Sequence, residues 1–176
     1  KQVTETYRKI RNTFRFMLGN ISDFDYNLHK VNYAELSEID KWALLKLTKL
    51  IQRVTKAYDD YEFHVVYHAV HNFCTVDMSA FYLDVVKDRL YTSKADSKER
   101  RAVQTVIYEA CMALVQMLTP ILAFTTEEVW SHLPQANKEV SVQLSGWPQF
   151  NPEYLNKEIE EKWDKILVVR EVVTKQ

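Results

Sequence analysis

Glycine is almost missing from this chain: Gly19 and Gly146 are the only two in 176 residues. Hairpins depend on turns that glycine supplies, and the apolar residues here recur at helical rather than alternating spacing, so an extensive sheet is excluded and an all-α chain is expected. Cysteine is equally scarce. Cys74 and Cys111 alone cannot build a disulfide framework or a two-pair zinc site, and they fit a reducing, cytoplasmic setting. No apolar run approaches a membrane span, and the opening "KQVTETYRKI" lacks the apolar stretch and small-residue cleavage site of a signal peptide. No membrane partner is expected. The first residue is Lys rather than Met, which reads as a processed or excised piece. An excess of one charge is also missing, since 23 Lys and Arg face 24 Asp and Glu for a net of −1, so the chain is no globally basic nucleic-acid binder. Catalytic signatures are absent too: there is no Gly-rich phosphate loop, nucleophile elbow or informative pair of carboxylates.

What is present is an ordinary globular composition, 47% hydrophobic and 27% charged, with helical periodicity almost throughout. A first helix is expected from about Gln2 to Leu18, stopped by Gly19 in a left-handed cap. A polar connection, 20–36, follows. Ser37 with Asp40 has capping-box spacing and opens a second helix to about Tyr58. A third, very long pattern runs from about Tyr61 to Tyr91. The fourth starts near Asp96 and runs to Pro120, and Thr125 with Glu128 suggests a short helix through Trp130. An irregular segment with three of the four prolines comes next, with one short extended piece at 140–144. The last helix, 153–176, carries Leu155, Ile159, Trp163, Ile166 and Val173 on one stripe and needs a neighbour. The expected organisation is a helical bundle over 1–133 and an irregular segment plus terminal helix over 134–176.

The charge is unevenly distributed. "YRKIRNTFRFMLGN", residues 7–20, contains four basic residues and no acidic one, and residues 1–20 carry a net of +4 against −5 for the rest. Tyr7, Ile10, Phe14, Met17 and Leu18 fall on one stripe of the helix, while Arg8, Arg11 and Arg15 fall on an adjacent one with Asn12 beside them. Three forked, permanently charged donors aimed the same way suit phosphates or base edges; a merely solvated face, or ion pairs to another helix, is the plainer alternative. The second helix repeats the pattern with Lys46, Lys49, Arg53 and Lys56, read here as a solvated face. Trp42 falls off that helix's core stripe, where an indole could stack on an unpaired base or simply cover the bundle end. His64, His68 and His71 share one face of the third helix, but no carboxylate joins them, so they read as surface imidazoles rather than a metal site.

Taken together, "YRKIRNTFRFMLGN", "SDFD", "DKWALLKL", "YEFHVVYHAVHNFC", "SAFYLDVVKDRLY" and "LTPILAFTTEEVW" resemble the anticodon-binding region of bacterial isoleucyl-tRNA synthetases, which belong to class Ia. Valyl, leucyl and methionyl relatives share the helical plan and the "D-x-W" and "P…EE-x-W" features, so a valyl-type domain stays open as an alternative. The resemblance implies a helical bundle packed on the anticodon arm of tRNA(Ile), joined to a catalytic domain of the same polypeptide in a monomeric, cytoplasmic enzyme. It implies a parent that uses ATP with Mg to attach isoleucine to its tRNA during translation, with zinc in a C-terminal module. The HIGH and KMSKS signatures and that cysteine-rich module are absent here, so no cofactor and no catalysis are expected of these residues. Residue by residue, Arg8, Arg11, Asn12 and Arg15 match the family's first-helix motif and Trp42 the aromatic of "D-x-W". These five are the expected tRNA-binding set. Two rivals remain: a helical protein-interaction module, which leaves the arginines idle, and a metal-dependent enzyme, which accounts only for the histidines.

Overall fold

The structure is a computed structural model that describes residues 2–134 and 138–174. It is all-helical, with no strand among the described residues. Helices α1 (Gln2–Asn20), α2 (Tyr26–His29), α3 (Glu38–Asp59), α4 (Phe63–Asn72), α5 (Leu83–Thr92), α6 (Lys98–Leu118), α7 (Ala123–His132) and α8 (Lys157–Thr174) follow one another, and a π-helical stretch, Phe73–Tyr82, joins α4 to α5 without a break. Helices α3 and α6 form the centre. Their buried faces, including Leu44, Leu47, Ile51 and Val54 on one and Val103, Ile107, Leu114 and Leu118 on the other, belong to a single core with Phe14 and Met17 of α1.

Local signals set most of the boundaries. Ser97 caps α6, its hydroxyl accepting from the Arg100 N–H, and α6 ends two residues before Pro120. Ser37 begins α3 as expected but without a capping hydrogen bond. Its hydroxyl instead donates to Asp40 Oδ2 at 2.6 Å, because Asp40 is wholly buried and gathers donors from across the core. Arg89 grips that carboxylate with both terminal nitrogens at 2.9 and 3.0 Å, and the Tyr82 hydroxyl donates to it at 2.7 Å. One buried anion thereby fixes the start of α3 to α5.

Four expectations need correction. Gly19 does not cap α1: it lies within the helix, which continues to Asn20, and only Tyr61 and Gly146 have positive φ among the described residues. The connection 20–36 is not merely polar. Ile21, Phe24, Val31 and Leu36 are buried there, Asp25 caps the short α2, and Asp23 ties the segment to Arg100 and Arg101 of α6. The long third pattern is continuous but not uniformly α, since its middle ten residues adopt the wider π-helical path. Residues 142–144, expected extended, form a 3-10 turn, because the Ser141 hydroxyl accepts from the Gln143 N–H and starts a turn there.

The irregular segment and α8 pack back onto the bundle. Trp147 donates to Thr55 at 2.8 Å, the Asn151 N–H to Thr48 at 2.7 Å, and the Tyr154 hydroxyl to Glu109 at 2.9 Å. On α8, Ile159 is buried and Trp163 donates to Glu38 at 3.0 Å, so the neighbour this helix needs is α3. Farther along, Val168, Val169, Val172 and Val173 are exposed.

Candidate nucleic-acid interface

Helix α1 has one buried side, with Thr6, Ile10, Thr13, Phe14 and Met17 in the core, and one open side. Tyr7 anchors it to α7 by a 3.0 Å hydrogen bond to Thr125, and Thr13 anchors it to the π-helical stretch through Ser79 at 3.4 Å. Arg8, Lys9, Arg11, Asn12 and Arg15 all project from the open side and are exposed. Sequence spacing therefore brings Arg8, Arg11, Asn12 and Arg15 together on one surface, with Lys9 as a fifth polar group that the arginine stripe did not include.

Their charges are not equally free. Arg8 is paired with Glu5, one turn back at 2.7 Å, which pulls that carboxyl below its ordinary range and raises Arg8. Both groups are exposed, so water and salt compete with the pair and it can open for a better anion. Among the described residues, Arg11 and Arg15 have no carboxylate partner and Asn12 has no hydrogen bond. Two guanidinium groups thus stand in solvent with all their donors unspent.

Two grooves flank this open side. The first, of about 180 Å³ between α1 and α7, is lined by Arg11, Arg15 and Leu18 opposite Glu128, Val129 and His132. The second is larger, about 590 Å³, and faces the π-helical stretch and α5, with Lys9, Asn12 and Phe16 on one wall. Its other wall is built by Thr75, Ser79, Leu83, Lys87 and Tyr91, every fourth residue along the continuous helix. His71 precedes that series by one more step. Burial and the Lys9 charge push its pKa down, which favours the neutral imidazole at this wall.

Trp42 is not part of the surface. It is fully buried, its ring edge-on to Phe81 at 4.9 Å, with its indole N–H unpartnered. The expectation of a stacking platform is overturned by packing: α3 is covered by α4 and the π-helical stretch and again by α8, so a position off its main stripe is still interior. An exposed aromatic that shares a hollow with Arg15 and Asn12 is Tyr91, at 64%. Its position in "FYLDVVKDRLY" gave no sign of this, because the residue reaches α1 only through the tertiary fold.

Three of the four cations of the second basic stripe are paired, while Arg53 is exposed without a carboxylate partner among the described residues. Lys46 faces Asp164 at 3.8 Å and Lys49 pairs with Glu160, both from α8, while Lys56 pairs with Asp60 at 2.5 Å. As for metal, no group of three His, Cys, Asp or Glu gathers among the described residues. Both thiols are fully buried, and burial pushes Cys74 up to about 12 and Cys111 higher still, so neither is poised as a thiolate ligand.

Comparison with known sequences places the chain in a family. Residues 40–176 match the family described as the anticodon-binding domain of tRNA ligase. The chain belongs to that family. Among curated proteins it is 60% identical over 99% of its length to an isoleucine–tRNA ligase of Moorella thermoacetica, and 61% identical over 99% to one of Syntrophomonas wolfei. A third, from Petrotoga mobilis, is 54% identical over 99% of the chain. The chain spans 19% of the length of each of these relatives. No helix among the described residues is long and apolar enough to cross a membrane.

Proposed function

We propose that this chain is the anticodon-arm-binding domain of an isoleucine–tRNA ligase and that the open side of α1 is its RNA surface. The observation that carries the reading is the pair Arg11 and Arg15: exposed guanidinium groups with no carboxylate partner among the described residues, on a helix fixed at both flanks by Tyr7 and Thr13. Arg8, Arg11 and Arg15 supply charge-assisted donors to phosphates or base edges, and the Asn12 amide supplies a donor and an acceptor to a base edge. The full-length enzyme attaches isoleucine to tRNA(Ile) with ATP and Mg, as a monomer in the cytoplasm. In this reading the ATP, Mg and zinc chemistry belongs to other segments of the polypeptide. The exposed valines at the end of α8 suit contact with such a segment.

The test is a titration of full-length ligase variants with tRNA(Ile) and an anticodon-substituted tRNA at two salt concentrations. Arg11→Ala and Arg15→Ala are expected to fold normally. Each should lose roughly 1 to 3 kcal/mol of binding where the side chain reads a base edge. A phosphate contact instead weakens both RNAs alike and lowers the salt slope by about one ion. Wild-type affinity in both variants would reduce the rail to a solvated face.

A further inference from the structure

Gly19 has no conformational reason to be glycine. It sits inside α1 with ordinary helical backbone, where glycine is unfavourable relative to other residues, and a Cβ added there would meet nothing within 4 Å. The space it leaves open is a hollow of about 450 Å³ walled by Asn12, Arg15, Phe16, Gly19, Asn20 and Tyr91. Tyr91 also lines the larger groove between α1 and α5, so its exposed ring stands between the two. The ring is well supported from behind. Leu90 beside it is buried, and Arg89 is clamped to the buried Asp40, which holds the last turn of α5 against the core.

We propose that Tyr91 is the stacking platform of this surface and that the hollow between it and Gly19 receives one unstacked nucleobase of a single-stranded RNA loop. The inference rests on the RNA-binding reading of α1 and adds to it the place where a base goes. Every wall has a function in such a site. The Tyr91 ring offers a π face to any base; the Asn12 amide has no intramolecular partner and can pair with a base edge; the Arg15 guanidinium at the rim meets the adjoining phosphate. The side-chain-free Gly19 leaves the floor of this shallow, open hollow clear for a planar ring to lie on. Charge favours nucleic acid over an aromatic peptide side chain as occupant, because Arg15 at the rim has no carboxylate partner among the described residues and the acid that lines the adjoining groove, Asp84, is already engaged by Lys87 and Arg170.

The experiment uses full-length ligase and tRNA(Ile) transcripts carrying 2-aminopurine at each anticodon-loop position in turn. Tyr91→Ala should weaken binding by roughly ten- to one-hundredfold with an unchanged salt slope, while Tyr91→Phe stays within about twofold of wild type. Gly19→Leu should weaken binding comparably yet melt no lower than wild type, since the new side chain fills only the hollow. Binding should quench the reporter at one loop position for wild type and Tyr91→Phe, and Tyr91→Ala should abolish that quenching. Normal binding by Tyr91→Ala alongside weakened Arg15→Ala overturns the platform and leaves the arginine surface standing. Normal binding by Tyr91→Ala, Arg11→Ala and Arg15→Ala together overturns both. Loss in Tyr91→Phe equal to that in Tyr91→Ala assigns the contact to the hydroxyl and overturns stacking, as does quenching at no position.

Discussion

Helices α1 and α3 each carry a basic stripe beside an apolar one, and the fold covers part of one stripe and leaves the other open. On α3, Lys46 and Lys49 meet Asp164 and Glu160 of α8, and Lys56 meets Asp60. On α1, Arg11 and Arg15 meet no carboxylate among the described residues, and Arg8 meets only an exposed Glu5 on its own helix. Lys46 and Lys49 are thus set apart from Arg11 and Arg15 by the acidic face of α8 that docks over them, whereas Lys56 is paired only within its own helix and Arg53 stays exposed without a carboxylate partner among the described residues. The choice of side chain agrees with that division. The two cations that α8 covers are lysines, flexible point charges, whereas the open stripe of α1 is arginine with its planar fork, suited to phosphates and base edges.

Several variants would break or sharpen this contrast. The largest effect is expected at Trp42, where burial replaces the exposed role first assigned to it: Trp42→Ala should cost about 3 to 5 kcal/mol of stability, measured by urea denaturation. An unchanged midpoint with weakened RNA binding would return Trp42 to the surface. The next concerns Asp77, a mostly buried carboxyl between Lys46 and Asp164, whose pKa burial raises to about 6 from 3.8. The folded state thus holds its proton to higher pH than the unfolded state, so the stabilisation is complete below pH 4 and is lost as pH rises through 6. The loss should be on the order of 2 kcal/mol by chemical denaturation, and Asp77→Asn should flatten that part of the profile. Lys46→Met should raise the Asp77 pKa further, because Lys46 is the charge that holds it down.

The smallest effects distinguish the stripes directly. Lys49→Ala should cost about 0.5 kcal/mol of stability and leave RNA affinity unchanged, while Arg11→Ala should leave stability within about 0.5 kcal/mol and lower RNA affinity. If Lys49→Ala weakens RNA binding as much as Arg11→Ala does, the two faces are equivalent and docking of α8 does not divide them.

Local chemistry made much of the fold legible. Ser97 and Pro120 mark helix ends through a backbone donor and a missing N–H, properties a residue carries wherever the chain goes. The arginine stripe was legible for the same reason, since i, i+3, i+7 spacing fixes a common face before any tertiary contact exists. Trp42 was not, because its exposure depends on which elements cover α3, and nothing in "DKWALLKL" says that α8 returns to that helix. Gly19 misled because glycine near a helix end ordinarily signals a cap, whereas here it leaves room. Tyr91 was hidden in turn by the assumption that the long third pattern is α-helical throughout.

The π-helical stretch is also a device for keeping phase. In an α-helix, residues at every fourth position drift around the axis, and over the five steps from His71 to Tyr91 the drift amounts to roughly half a turn. Each turn of the wider helix takes up about one residue more, so the ten residues from Phe73 to Tyr82 cancel most of that drift. Thr75, Ser79, Leu83, Lys87 and Tyr91 consequently form one straight rank opposite α1, where a regular helix would have turned Tyr91 to the far side. Removing or inserting a single residue between 73 and 82 would then act like a slipped gear tooth: every downstream side chain keeps its identity and its order but faces a different neighbour. Length in this stretch is under as strict a constraint as composition, and two chains alike at every contact position could still differ in what they hold.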